Sequence, residues 1–306
     1  MAFVRRKKKG NTFFYELVEN TWEKGKTKQK VVQYFPTLEA ANLYCEQRGI
    51  HKLETKLLIS PHLEKQLNEN LDILNKARPL PESTLKNLKD IFEIEITYNS
   101  NAIEGNRLTL RETWLVIRKG MTIGGKTVEE HLEAKNHAEA LEFLYELVDK
   151  GREIKENDVL QLHKLVLDKI SSEYAGKYRD RQVFISGATH IPPAASEVPK
   201  LMKQVIIELN NRDKKTKAVI SASKVHYLTT KIHPFIDGNG RVARLLLNLR
   251  LMRAGFPPVV LHKTERRSYY SALEKADDGD LYPITTLIAK NIEKSLETYL
   301  SALEKK

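Results

Sequence analysis

The chain has 306 residues, of which 41% are hydrophobic and 30% charged, the balance of a soluble globular protein with room for one large domain and a small addition. Its formal net charge is +11, which favours phosphate-bearing or acidic partners and says nothing about fold. No apolar run approaches the roughly 20 residues that cross a bilayer, no apolar segment follows MAFVRRKKKG to make a secretory signal, and the lone cysteine, Cys45, excludes an internal disulfide.

A cytoplasmic protein without membrane contact is therefore expected. The charge is uneven. Residues 1–56 hold twelve Lys/Arg against six Glu, so six of the eleven excess charges lie in less than a fifth of the chain. The two ends of the protein should meet different partners. Residues 3–35 contain three β-favouring runs, FVRRKKK, TFFYELVENTW and KQKVVQYF, separated by turn signals at Gly10-Asn11 and Lys24-Gly25-Lys26. Pro36-Thr37-Leu38-Glu39 opens a short helix that Thr37 can cap, with Leu38, Ala41, Leu43 and Tyr44 on its apolar side. The result is a basic β-β-β-α module over 1–56, too small to be very stable alone.

Helical periodicity dominates from residue 57 to 306. Apolar residues recur at three- and four-residue spacing near 61–78, 82–103, 109–119, 128–149, 156–170, 196–211, 216–232, 240–253, 266–277 and 281–304. The stretch 179–195, RDRQVFISGATHIPPAA, interrupts them. VFIS reads as a short strand bracketed by Gly187, Pro192 and Pro193, which predicts a short β-hairpin flap on an all-helical core. The fold class is mainly α.

Residues 225–250 carry the chemistry. VHYLTTKI runs as a helix to His233-Pro234, where proline removes a donor and turns the chain. The glycines of Asp237-Gly238-Asn239-Gly240 can adopt positive φ and turn several N–H groups inward as an anion nest. A new helix then begins with Arg241 and Arg244 in its first turn, a place where the partial positive charge of the helix end disfavours cations. A polyphosphate on the nest, clamped by both guanidiniums, removes that conflict. Asp237 can hold Mg²⁺ through one carboxylate and waters. His233 is a candidate general base, because imidazole titrates near neutral pH. Positioning, charge neutralisation and proton removal are what displacement at phosphorus asks of a protein.

HPFIDGNGRVAR matches all eight specified positions of the Fic-domain signature HxFx(D/E)GNGRxxR, and on this basis the chain resembles the Fic family over roughly residues 60–300. Ser100-Asn101-Ala102-Ile103-Glu104-Gly105 resembles the family's autoinhibitory pattern (S/T)xxxE(G/N). The segments QVFISGATHIPP and RRSYYSALEKADDGD sit where the family has its target-docking flap and adenine pocket. The resemblance implies an autoinhibited protein adenylyltransferase that moves AMP from ATP to a Ser, Thr or Tyr hydroxyl of a target protein and of itself. It implies that His233 is the base and that Asp237 positions Mg²⁺. Gly238, Asn239 and Gly240 would cradle the phosphates with Arg241, Val242 and Ala243 alongside, and Arg244 would grip the γ-phosphate.

By the same resemblance, Ser186, Gly187, Ala188 and Thr189 would run beside target and nucleotide by strand addition, and Tyr269, Tyr270 and Asp277 would border adenine. Phe235 would anchor the loop in the core. Ser100 and Glu104 would belong to an inhibitory helix around 86–104, with Glu104 paired to Arg244. Asp277 departs from the asparagine usual in the family, and Gly240 argues against the kinase-like relatives, which have lysine there. Removal of AMP by the same site is an alternative activity, and a homodimer is within the family's range. The 1–56 module is similar to small DNA-binding modules of integrases, mixing RRKKK with Phe13, Phe14, Tyr15 and Trp22. A nucleotide-sensing regulator bound to nucleic acid is thus a further alternative, with target docking as the other use of that module.

Overall fold

The computed structural model describes residues 2–9, 12–23, 26–48, 58–185, 187 and 190–304. The chain divides into two compact units, Met1–Leu58 and Ile59–Lys306. In the first, strands β1 (Ala2–Lys9), β2 (Thr12–Glu23) and β3 (Lys26–Phe35) form an antiparallel meander in sequence order, followed by helix α1 (Leu38–Gln47). The register pairs Arg6 with Tyr15 and Tyr15 with Phe35, and shifts between Leu17 and Val18 because β3 carries one extra residue there. Thr37 accepts a hydrogen bond from the Ala40 amide at 3.2 Å and opens α1. Leu17, Phe35, Ala41 and Cys45 make a small core, with the Phe35 and Tyr44 rings edge to face at 5.1 Å.

The second unit is helical: α2 (Pro61–Lys76), α3 (Glu82–Glu104), α4 (Leu110–Lys119), α5 (Val128–Lys150), α6 (Glu156–Val166), α7 (Val198–Leu209), α8 (Lys215–Ile232), α9 (Asn239–Arg253), α10 (Arg266–Asp277) and α11 (Tyr282–Glu304). At its centre lies α9, packed by α3, α5, α6, α7 and α8. Every residue from Arg241 to Leu251 is buried, so this helix has no solvent face and no amphipathic stripe. Its polar side chains must therefore find partners inside. Asn248 donates to the carbonyls of Arg244 and Val259 and accepts from the Val259 amide, and Arg250 donates to Ser221 Oγ and the Asp213 carbonyl.

Two features place the site. Helix α3 stops at Gly105, whose φ of 111° ends it in a left-handed turn. Helix α8 stops at His233, and the loop 233–238 returns the chain into α9. The expected flap hairpin forms no strand ladder among its described residues, 182–185, 187 and 190–194. Pro192 and Pro193 have no N–H to give a ladder. The two arms are joined instead by Gln182 Nε2 donating to the Pro192 carbonyl at 2.9 Å.

Candidate functional site

His233 takes φ 50° and ψ 61°, a left-handed conformation uncommon for a residue with a side chain. Its Nδ1 lies 3.3 Å from the Thr230 carbonyl. A carbonyl only accepts, so the proton sits on Nδ1 and Nε2 keeps a lone pair. Burial lowers the imidazole pKa, and Arg179 adds to this, while the Thr230 contact, Glu104 and Asp237 oppose it. The ring is thus neutral near pH 7.

The loop after it is fastened from both sides. Phe235 is fully buried and its ring stacks on His163 at 3.6 Å. His163 Nε2 donates to the Asp237 carbonyl at 3.1 Å, and its Nδ1 accepts from the Gly176 amide at 3.0 Å, so this ring is also neutral. Burial presses its pKa down to about 4. The Asn239 side chain closes the turn by bonding both the amide and the carbonyl of Phe235 at 2.9 Å. Gly238 then opens α9 at φ 75°. The first turn of a helix leaves N–H groups without intrahelical partners, and here they line the nest.

Helix α3 delivers Glu104 to that nest. Glu104 is its last residue, where a carboxylate is unfavourable against the partly negative helix end. Arg244 is the sixth residue of α9, one turn inside the helix and not in its first turn as the sequence suggested. The two meet: Glu104 Oε1 is 2.7 Å from Arg244 Nη2. Arg244 Nε also donates to Ser100 Oγ at 3.0 Å and Nη2 to the Ser100 carbonyl at 2.9 Å. Burial lowers the guanidinium pKa, and Glu104 and Tyr269 more than offset it, so the net direction is upward. The same carboxylate overlies Gly240 so closely that a Cβ there would collide with Glu104 Oε1. Arg244 Nη1 would lie 3.1 Å from that Cβ and has no protein partner among the described residues.

Arg241 is held by Glu133 at 2.7 Å and by Asp237 at 3.3 Å, and its buried Nε likewise lacks a partner. These two unfilled buried donors beside a glycine nest suit phosphate oxygens. Asp237 bonds the Gly238 amide and leaves its side chain 57% exposed. One open carboxylate beside a phosphate site is the donor set Mg²⁺ uses, with phosphates and waters completing its shell. Among the described residues there is no cluster of three His, Cys, Asp or Glu for a metal held by protein alone.

Other expected contacts fall differently. Val242 and Ala243 are fully buried, and the Val242 amide bonds the Gly238 carbonyl and is not free for the nest. Tyr269 is buried with its hydroxyl 2.9 Å from His226 Nε2, which makes it part of the wall behind Arg244. Tyr270 is the ring that borders the cleft, with Arg266, Arg267, Ser271 and Glu274, and the Arg266 guanidinium lies 5.1 Å from its centre. Asp277 accepts from the Tyr227 hydroxyl at 3.2 Å. Gly187 is a turn residue at φ 77°, and Ser186, Ala188 and Thr189 lie outside the described residues. Arg179, His163 and Glu133 hold the site together and were not foreseen. Nothing in their local sequence distinguishes them from solvated polar residues, since burial is what gives them their roles.

The Fic/DOC family model matches residues 153–251, which contain the loop and most of α9. A solved structure of Fic-1 (residues 134–508) from C. elegans superposes with a TM-score of 0.71 and 33% identity, covering 87% of this chain and 78% of that one. The chain belongs to the Fic/DOC family. A Fic-domain-containing signalling protein from Bacteroides thetaiotaomicron is similar too, at TM-score 0.71 and 29% identity over 80% of this chain and 97% of that one. Among curated Fic relatives, the protein adenylyltransferase Fic of Nematostella vectensis is 34% identical over 278 residues, 87% of this chain and 65% of that protein. Its Drosophila virilis counterpart is 35% identical over 83% of this chain and 50% of that protein. The chain therefore spans half to two-thirds of the length of these two relatives. No described helix is long and apolar enough to cross a membrane.

Proposed function

We propose that this chain is an autoinhibited protein adenylyltransferase that moves AMP from ATP to a hydroxyl of a target protein and of itself. One observation carries the reading: the Glu104 carboxylate occupies the Arg244 guanidinium and overlies Gly240, where a nucleotide phosphate would otherwise bind. The names of the curated relatives support the same chemistry.

The hydroxyl oxygen attacks the α-phosphorus, the new O–P bond forms as the bond to the bridging oxygen breaks, and pyrophosphate leaves. Nε2 of His233 takes the hydroxyl proton, which its bare lone pair permits. The α9 amides and the free donors of Arg241 and Arg244 bind and orient the phosphates. Asp237 would hold Mg²⁺, whose charge stabilises the departing pyrophosphate. Inhibition follows from position and charge: the Glu104 carboxylate lies over Gly240 beside the guanidinium, where it would exclude and repel a γ-phosphate. A second reading, removal of AMP from modified proteins, has a specific support. The Glu104 side chain is 32% exposed and able to orient a water over the nest.

The test is labelled ATP with Mg²⁺ on the parent, Glu104→Gly and Glu104→Gly/His233→Ala. Little label in the first, strong label in the second and none in the third are expected. Equal labelling of all three refutes the reading. Release of AMP from a labelled protein by the parent, but not by Glu104→Gly, would favour the second.

A further inference from the structure

Arg179 is buried, 3% exposed, with no carboxylate partner among the described residues, an expensive placement for a guanidinium unless its donors are filled. They are filled by carbonyls from two places. Nε donates to the His233 carbonyl at 2.9 Å and Nη2 to that of Ile232 at 3.5 Å. Nη1 donates to the Arg181 carbonyl at 2.9 Å and Nη2 also to the Pro193 carbonyl. The backbone amide of Arg179 adds a bond to the Pro234 carbonyl at 2.9 Å. Arg181 and Pro193 are the residues on either side of the 182–192 segment.

One side chain thus bonds the last carbonyl of α8, that of the left-handed His233, and those of Arg181 and Pro193. Helix C-terminal carbonyls need such donors, and a cation there is electrostatically favoured. His190 repeats the theme, with Nε2 donating to the Lys231 carbonyl at 2.9 Å. The carbonyls of 231, 232, 233 and 234 are therefore all served from residues 179–190. A left-handed residue with a Cβ persists only where its surroundings over-determine it, and here Arg179 is the surroundings.

The geometry points to Arg179 as a positioning residue: it locks His233 in its left-handed turn and ties the Arg181 and Pro193 carbonyls to the same turn, so that the imidazole keeps one orientation. The assignment rests on His233 being the base, and its test includes readouts that need no activity.

Arg179→Lys keeps the charge and loses the planar fork, whereas Arg179→Gln loses both. Arg250→Gln is the control, since Arg250 is equally buried and bonds only Ser221 and Asp213 in this way. Full-length variants are compared by amide hydrogen exchange and by NMR titration of the His233 ring. Both Arg179 variants should exchange roughly tenfold or more faster at the amide of residue 179, which bonds the Pro234 carbonyl, and at those of 232, 233 and 235, with the rest of α8 and α9 unchanged. The His233 titration midpoint should rise in Arg179→Gln and stay put in Arg179→Lys, because a nearby cation disfavours the imidazolium. In the Glu104→Gly background, kcat for labelling should fall roughly 10–100-fold in Arg179→Lys with the KM for ATP unchanged. Unchanged exchange at those amides, or loosening spread through the helices as in Arg250→Gln, overturns the assignment. Absence of labelling in the Glu104→Gly parent would instead count against the adenylyltransferase reading and leave the exchange and titration results to decide on Arg179.

Discussion

Replacing Glu104 by alanine removes the carboxylate from Arg244 while keeping a residue that favours the helix end of α3. The contact is 2.7 Å between a guanidinium whose side chain is 4% exposed and a carboxylate that is 32% exposed. Breaking a fully buried pair costs about 3–5 kcal/mol and an exposed pair is worth about 0–1 kcal/mol, so one open partner puts this contact near ~2 kcal/mol. On the proposed reading, ATP must displace the carboxylate in the parent before it reaches Arg244. In Glu104→Ala it need not, and its Kd should tighten by about 30-fold at 1.4 kcal/mol per tenfold. The nucleotide-free variant should also melt about 4–8 °C lower, at roughly 2–4 °C per kcal/mol for a chain of this size, because Arg244 is left with only the Ser100 oxygens. Isothermal titration with Mg·ATP and thermal unfolding with and without nucleotide measure both effects. A Kd within twofold of the parent would refute the reasoning, even if the melting point fell, since it would mean that the pair is structural and does not compete with phosphate.

Two further outcomes follow from the buried site. Burial lowers the pKa of His137 to about 3, and those of His163 and His226 to about 4. All three folded values lie below the unfolded value of ~6.5, so the unfolded chain takes up protons first and stability is lost as pH falls from about 6.5 toward 4. Each histidine contributes up to about 1.4 kcal/mol per pH unit in that window, and denaturant unfolding at pH 7.5 and pH 5 should differ by several kcal/mol. Equal stability at the two values would show that these rings are not held neutral. Gly238→Ala places a Cβ on a residue at φ 75°, which costs about 1–2 kcal/mol whatever space surrounds it. Its melting point should fall by several degrees, and an unchanged one would mean that the turn relaxes out of the left-handed region.

The helices were legible because their signals are local. Apolar spacing marked the ten described helices of the second unit, and single residues carry boundaries: Thr37 for α1, Gly105 for α3 and Gly238 for α9. Among its described residues, 182–185, 187 and 190–194, the flap shows no strand ladder: Val183-Phe184-Ile185 has strand composition, but Pro192-Pro193 has no N–H to pair with it. The orientation of the two tyrosines of α10 was not legible. Tyr269 and Tyr270 are adjacent in sequence, and only the packing of α10 turns one toward His226 and the other toward the cleft.

By itself the sequence marked the His233–Arg244 turn through residue types at fixed offsets: a proline without a donor, a glycine at 238 free to take positive φ, and an arginine at 241 in the first turn of α9. Tertiary structure alone decided which anion Arg244 has at rest. Glu104 lies 140 residues before Arg244, and their contact exists because α3 ends where α9 begins. Arg179, His163 and Glu133 became parts of the site only by burial, which depends on what the rest of the chain places over them, and no local pattern encodes that.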